Sequence, residues 1–147
     1  MTGVNVTAPS TTASQDRLNR RPSVVITDDE ADVRRLLRVN LEVDGRFQVV
    51  ADLASGEETL ELAWETCPDL LVLDLMMPGM NGAEVLSEIR RRCPSTKIAM
   101  FSAASTEAAE RLTGRKADAY IPKTADLIEV IDRLASLTHQ SPPRPPR

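Results

Sequence analysis

The stretch that decides the fold is Leu70–Gly82, which reads LLVLDLMMPGMNG. Its first four residues are aliphatic, a pattern typical of a strand that is buried on both faces within a parallel sheet. Asp74 follows this run directly, and a Pro-Gly pair and an Asn-Gly pair, both strong turn signals, come soon after it. Asp74 is therefore predicted to lie where a buried strand opens into a loop. In open α/β sheets, that edge is where ligands bind.

A single acid after a strand is usually only a turn residue or a helix cap, but three other predicted strands also end on polar residues. These strands cover 23–27, 97–101 and 119–122, and they are followed by Asp28-Asp29, Ser102 and Lys123. Because the carboxyl ends of parallel strands meet at one edge, we expect three acids, a hydroxyl and an ammonium to collect there. The combination is far more specific than any one of its members.

Predicted strands and helices alternate from Ser23 onward. A further strand is predicted at 47–51, and residues at helical spacing follow each strand. The predicted helices cover about 30–43, 56–67, 82–92, 105–113 and 126–137. This alternation predicts an α/β fold, a doubly wound five-stranded parallel sheet of (βα)5 form with right-handed crossovers.

The predicted acid cluster has chemical consequences of its own. Three carboxylates in one crevice repel one another, so that one of them takes up a proton or a cation lies among them. Oxygen ligands with open positions suit Mg²⁺, which shares its coordination sphere with water and phosphate. A carboxylate is also a nucleophile toward phosphoryl groups. The plainer interpretation is that Asp28 and Asp29 cap the first helix, and both roles can coexist.

Order and spacing of these residues together resemble a known family. The residues that carry the resemblance are Asp28-Asp29, Asp74, Met77–Gly82, Ser102-Ala103, Tyr120 and Lys123. Over roughly Arg21–Leu137, the chain resembles the CheY-like receiver domain of two-component response regulators. The resemblance implies the strand order 2-1-3-4-5, which periodicity does not show. It thus puts the strand before Asp52 at the sheet edge, and we expect Asp52 to be solvated rather than part of the acid cluster.

The resemblance also assigns roles to the acids. It implies that Asp74 is the phospho-acceptor and that Asp29 and Asp74 ligate Mg²⁺ directly. Asp28 would act partly through water, and the backbone carbonyl of Met76 would complete the protein's share of the ligands.

The remaining site residues would complete the transfer and the switch. By resemblance, Lys123 and Ser102 each contact one phosphoryl oxygen. New charge on Asp74 would draw Ser102 inward, and Tyr120 would turn into the vacated space, changing the surface around the fourth and fifth helices. The plainer interpretation of Tyr120 is an ordinary half-buried tyrosine.

The function implied is that of a signalling switch, which catalyses only its own phosphotransfer and autodephosphorylation. A histidine kinase or phosphotransfer protein would supply the phosphoryl group, and a downstream protein target would detect the change. Three alternatives stay open: a receiver cut from a longer DNA-binding regulator, a binding module that ignores phosphorylation, and an aspartate-nucleophile phosphatase. The last typically has a second Asp two residues after the nucleophile, where this chain has Met76.

Composition restricts the class of protein further. With 147 residues there is room for one domain, which we place at 22–138, between a disordered extension at 1–21 and a flexible Pro/Arg-rich tail at 139–147. The net charge of −4 and the pI near 5.1 argue against direct nucleic-acid binding. No apolar run approaches the roughly 18 residues that span a membrane, and no secretory signal is visible. We therefore expect a cytoplasmic protein.

Three further expectations concern single residues. Cys67 and Cys93 each close a predicted helix, and we expect reduced thiols, since a redox pair would require those two helix ends to be adjacent. Trp64 is expected in the core. Met76 and Ala104 lie where, by resemblance, a side chain would orient the water that removes the phosphate. Neither side chain offers a hydrogen-bond acceptor that would do this, so we expect a long-lived phosphorylated form.

Overall fold

A computed structural model describes residues 20–138, so the predictions for a disordered extension and a flexible tail lie largely outside the described residues. The strands are β1 (Ser23–Thr27), β2 (Gln48–Leu53), β3 (Leu70–Leu73), β4 (Lys97–Ser102) and β5 (Ala119–Pro122). The helices are α1 (Ala31–Asp44), α2 (Gly56–Glu65), α3 (Gly82–Arg92), α4 (Thr106–Leu112) and α5 (Leu127–Leu137). In this range, no helix has both the length and the apolar character that a membrane span requires.

The five strands form one parallel sheet in the order β2-β1-β3-β4-β5. This confirms the predicted fold class and the strand order that the resemblance implied. β3 lies in the centre and all four of its residues are buried, as its unbroken aliphatic run predicts.

Two hydrophobic cores lie on opposite faces of the sheet, because successive side chains of a strand point to opposite sides. Leu70 and Val72 of β3 pack in one core with residues of α1 and α5. Leu71 and Leu73 pack in the other core, with residues of α2, α3 and α4. The sheet is therefore covered by helices on both faces.

Side-chain caps fix where several helices begin. Asn81 and Glu84 form a reciprocal capping box at the start of α3, which satisfies two of the free amides of the first turn. At α2, Ser55 Oγ accepts a hydrogen bond from the Glu58 amide, but the Glu58 carboxylate accepts from the Ala54 amide instead of the Ser55 amide. These caps hold the loops that precede α2 and α3.

Two single-residue expectations are wrong. Cys67 and Cys93 are joined as a disulfide, with their Cα atoms 5.7 Å apart, because the ends of α2 and α3 meet at the same end of the sheet. Trp64 is 51% exposed, and the Arg92 guanidinium lies over its ring at 3.3 Å from the centroid. Ala63, one position earlier, takes the buried place on α2.

Candidate functional site

Backbone ladders continue past the ends of the strands and bring the functional residues to one edge. The Asp74 amide donates to the Thr27 carbonyl at 2.9 Å, which puts Asp74 beside Asp28. The Lys123 amide donates to the Ser102 carbonyl, also at 2.9 Å. The sheet register itself therefore assembles residues that are up to 95 positions apart, from 28 to 123.

Asp28, Asp29 and Asp74 form an acid cluster. Each offers one carboxylate oxygen, and these oxygens all lie within 4.8 Å of one another. Asp28 and Asp74 are only 2% and 4% exposed, whereas Asp29 faces solvent. The structure thus brings together the three acids that the sequence analysis selected.

Lys123 lies among these acids. Its Nζ is 2.8 Å from Asp28 Oδ2 and 3.5 Å from Asp74 Oδ2. Burial lowers the pKa of Lys123, but the contacts with the carboxylates outweigh this and raise it, so that the ammonium stays charged. It also contacts Glu30 at 3.2 Å. Helical spacing predicts Glu30 only as part of the first helix, and its position directly after the Asp-Asp pair is the one signal in the sequence for this contact.

The surroundings of Asp74 disfavour its ionised form. Burial is the main cause that raises its pKa to about 6, and the neighbouring Asp28 carboxylate adds to it. Lys123 and the Met76 amide, which donates to Asp74 Oδ1 at 3.3 Å, oppose this rise without cancelling it. The single positive charge of Lys123 is thus not enough to keep the pKa of Asp74 at its ordinary value.

The carboxylate of Asp28 indicates whether a cation fits the acid cluster. Its Oδ2 is buried and makes no aligned hydrogen bond, although the Lys123 ammonium is 2.8 Å away. A buried carboxylate oxygen with free acceptor capacity, beside two further carboxylates, is a suitable donor set for a hard divalent cation such as Mg²⁺. The residues present therefore fit the metal that the resemblance implied.

Gly82 allows the β3–α3 loop to lie close to the backbone of Asp74. A Cβ atom added at Gly82 would lie 2.3 Å from the carbonyl oxygen of Asp74 and 2.7 Å from the Cα of Leu75. The Gly82 amide donates to the Leu75 carbonyl at 2.8 Å. Only a residue without a side chain permits this approach, so the glycine fixes the position of the backbone at Asp74.

Ser102 ends β4 and is 2% exposed. Its Oγ accepts a hydrogen bond from the Ala104 amide at 3.1 Å, an interaction that does not use the hydroxyl hydrogen. Because the Ser102 carbonyl also accepts from the Lys123 amide, the two residues are fixed relative to each other.

Tyr120 is half-buried and its hydroxyl belongs to a hydrogen-bond chain. The Ala117 amide donates to Tyr120 Oη at 3.0 Å, and Thr113 Oγ1 lies 2.6 Å from the same oxygen. Thr113 Oγ1 in turn donates to the Ala109 carbonyl at 2.7 Å. One direction satisfies every group: amide to tyrosine, tyrosine to threonine, threonine to carbonyl. Tyr120 is thereby tied to the C-terminal end of α4.

Asp52 lies outside the acid cluster and is partly exposed to solvent, as expected, but two arginines also pair with it. Arg34 Nε lies 3.3 Å from Asp52 Oδ1, and Arg38 also pairs with this carboxylate. Arg38 is the main cause that lowers the pKa of Asp52. These pairs cannot be predicted from the sequence because they depend on how α1 packs against β2.

Comparison with known proteins identifies the class that this fold and site define. The family model of the response regulator receiver domain matches residues 24–135. The chain belongs to the response regulator receiver family.

Curated relatives are response regulators of gene expression. The chain is 38% identical over 120 residues to the transcriptional regulatory protein ResD of Bacillus subtilis, covering 80% of this chain and 48% of ResD. It is 33% identical over 124 residues to the nitrate/nitrite response regulator protein NarL of Escherichia coli, covering 80% of this chain and 57% of NarL. The chain thus spans about half the length of the curated relatives it matches.

Solved structures of response regulators superimpose on this chain. The response regulator TrrA of Thermotoga maritima, in complex with Mg²⁺ and BeF, superimposes with a TM-score of 0.72 at 31% identity, covering 79% of this chain and 98% of TrrA. A LuxR-family DNA-binding response regulator of Staphylococcus aureus gives a TM-score of 0.74 at 26% identity, covering 80% of this chain and 98% of that one.

Proposed function

We propose that this receiver is a phosphorylation-controlled switch with Asp74 as the phospho-acceptor. A histidine kinase or phosphotransfer protein would donate the phosphoryl group, and a downstream protein would bind the changed surface. The observation that carries the proposal is the buried Asp74 carboxylate among two further acids and the Lys123 ammonium. We place the switch within residues 22–138 and the protein in the cytoplasm.

The residues of the site have separate tasks in the transfer. Asp28, Asp29 and Asp74, with the Met76 carbonyl, are the proposed ligands of Mg²⁺, which when bound offsets the negative charge of the acids and of the incoming phosphoryl group. An Asp74 carboxylate oxygen attacks the phosphorus, and the bond from phosphorus to the donor breaks, leaving an aspartyl phosphate.

Lys123 and Ser102 act on the group that has been transferred. The Lys123 ammonium, already among the acids, can leave Asp28 and contact a phosphoryl oxygen without crossing a long distance. Ser102 donates its hydroxyl hydrogen to a second oxygen, since its present bond from the Ala104 amide leaves that hydrogen unused.

Movement of Ser102 would carry the signal away from the site. A small crevice lined by Ser102, Ala104, Ala109 and Tyr120 connects the hydroxyl to the tyrosine. When Ser102 moves toward the phosphoryl group, Tyr120 turns into the vacated space and gives up its bonds to Thr113 and Ala117. The end of α4 is then released, so a local change of charge biases a two-state surface.

The test is incubation of the protein with Mg²⁺ and acetyl phosphate, followed by intact mass measurement. We expect one phosphate per chain, labile to hydroxylamine, and none on D74N. The matched control is D118N, which changes an aspartate at the opposite end of the sheet and should be phosphorylated like the wild type. Undiminished labelling of D74N, or no labelling of the wild type, would overturn the proposal, and the latter outcome would favour a binding module that ignores phosphorylation.

A second candidate is a receiver that acts as part of a longer DNA-binding regulator, which the greater length of ResD favours, since the aligned region covers only 48% of that protein. An antibody to this domain distinguishes the two on an immunoblot of the source cells. A band near 16.1 kDa supports a stand-alone receiver, and a band at about twice that mass supports the longer regulator.

A further inference from the structure

A cysteine pair lies at the end of the sheet opposite the acceptor. Cys67 follows the C-terminal end of α2, and Cys93 is the C-cap of α3. Their Cα atoms are 5.7 Å apart and the sulfurs are bonded, a separation within the range of ordinary disulfides. The proposed function uses neither cysteine.

The crosslink closes a ring around the acceptor unit. The 26-residue separation between Cys67 and Cys93 encloses β3, Asp74, the β3–α3 loop and α3. In the oxidised form, both ends of this unit are joined covalently, so that α3 and β3 cannot separate at that end. A closed loop of this length restricts the unfolded chain considerably.

Hydrogen bonds that do not involve the sulfurs also hold the backbone around the two cysteines. Thr96 Oγ1 donates to the Pro68 carbonyl at 2.6 Å, joining the residues that follow the two cysteines in a buried hydrogen bond. The Cys93 amide donates to the Ile89 carbonyl, and the Cys93 carbonyl accepts from the Thr96 amide. A dithiol form would therefore keep the geometry in which the disulfide forms again.

Access to the pair is asymmetric. Cys67 is exposed, whereas Cys93 is 2% exposed. Attack by an external thiolate is therefore expected at Cys67, the more exposed residue of the pair, which defines one order of bond breaking.

We propose that Cys67 and Cys93 form a reversible thiol–disulfide couple that exchanges with small thiols of the glutathione class. A thiolate attacks the Cys67 sulfur, the bond between the protein sulfurs breaks, and Cys93 leaves as a thiolate and takes up a proton. A second small thiolate attacks the mixed disulfide and releases Cys67 and the oxidised small disulfide. In sum, one protein disulfide and two small thiols give two protein thiols and one small disulfide.

Two considerations favour a reversible couple over a permanent crosslink. Disulfides in reducing compartments are mostly transient or redox-sensing, an argument that rests on the cytoplasmic location proposed above. The exposure of Cys67 and the Thr96–Pro68 bridge are independent of that location. The couple would link the redox state of the cell to the stability of the acceptor unit.

The experiment is a titration of the whole chain with glutathione buffers of graded ratio. Samples are quenched with acid, denatured so that the buried Cys93 also reacts, alkylated with N-ethylmaleimide and weighed intact. We expect two labels per chain in reduced buffer, none in oxidised buffer, and a transition that follows the ratio of glutathione disulfide to the square of glutathione. Two labels at every ratio, no labels at any ratio, or a disulfide-linked dimer would each overturn the proposal.

A variant and a melting curve complete the test. C67S should take one label and form no intramolecular disulfide at any ratio. Oxidised wild type should unfold about 10 °C above reduced wild type, whereas C67S should show no difference between buffers. Equal melting temperatures of the two wild-type forms would contradict the proposed effect on stability. Because the readouts are thiol labels and melting, they succeed or fail independently of phosphorylation.

Discussion

Aspartate pKa values shift in opposite directions at the two ends of the sheet. At the carboxyl edge, Asp74 lies beside Asp28, and burial raises its pKa to about 6. At the amino edge, Asp118 precedes β5 and its carboxylate accepts hydrogen bonds from Arg90 and from the Ile98 amide at 2.8 Å. Burial alone would raise the pKa of Asp118, but these partners more than reverse it and lower the pKa.

The comparison separates aspartates whose carboxylates are fully paired within the fold from aspartates that keep spare acceptor capacity. Asp69 repeats the pattern of Asp118: it precedes β3 and accepts from both the amide and the hydroxyl of Ser23. At the carboxyl edge, by contrast, Asp28 keeps a buried oxygen without an aligned hydrogen bond. A buried carboxylate oxygen with spare acceptor capacity is costly to keep, and among these aspartates it occurs at the carboxyl edge, which is the edge where we propose that a cation and a phosphoryl group bind.

The largest effect is expected from G82A. The added Cβ would come within 2.3 Å of the Asp74 carbonyl oxygen, and backbone atoms must move to admit it. We expect a loss of about 3 kcal/mol in the free energy of unfolding, together with slower phosphorylation by acetyl phosphate, both measured on the same preparation.

The matched control for G82A is G45A. Gly45 has a φ of +88° but no atom within 4 Å of an added Cβ, so its cost is about 1 kcal/mol from backbone strain alone, with phosphorylation unchanged. Equal losses for the two variants would show that the close approach at Gly82 does not matter.

The next effect concerns Mg²⁺ binding, which the carboxyl edge should show and the amino edge should not. We expect D29A to weaken binding about 30-fold, since a direct ligand is lost, and D28A to weaken it less, about tenfold. D69N, at the amino edge, should bind like the wild type. Chemical shifts of the strand-end amides during a Mg²⁺ titration measure all four affinities; no shifts in the wild type at millimolar Mg²⁺ would contradict the site.

D118N tests the amino edge by pH. Because the folded pKa of Asp118 lies below its ordinary value of 3.8, the ionised carboxylate contributes stability that is complete above that value and is lost as the pH falls through the folded pKa. D118N should therefore be less stable than the wild type by about 1 kcal/mol at pH 7, and this difference should shrink below about pH 4. Urea unfolding at several pH values measures it, and a difference independent of pH would assign the loss to packing.

Much of this molecule was predictable from its sequence, for a local reason. The strands at 23–27, 70–73 and 119–122 were predicted with the bounds that the structure has, because short apolar runs end at turn signals. Asp28, Asp29, Asp74 and Lys123 met at one edge because parallel strands share a direction.

What could not be predicted depends on how helices pack. The disulfide requires that the ends of α2 and α3 meet, and a spacing of 26 residues does not contain that information. Trp64 and Ala63 are adjacent on α2, and the sequence does not show that Ala63 is buried while the indole of Trp64 is 51% exposed. The contacts that Arg34 and Arg38 make with Asp52 likewise follow from the placement of α1 against β2.

The smallest effect concerns the lifetime of the phosphorylated form, and it tests whether every position at the carboxyl edge takes part in the chemistry. An acyl phosphate is lost when water attacks in line, and a group that orients the water speeds the loss. Met76 is 63% exposed and has no side-chain group suited to this, and Ala104 lines the crevice beside Ser102. We expect the variant with Met76→Asn and Ala104→Glu to lose phosphate about threefold faster than the wild type, in Mg²⁺ at one pH, because both side chains gain acceptors for the attacking water. M76L is the control that keeps the size and lacks an acceptor, and its decay should match the wild type. If the double variant loses phosphate no faster than the wild type, the side chains at positions 76 and 104 do not control the lifetime of the phosphorylated form, although both positions lie at the carboxyl edge.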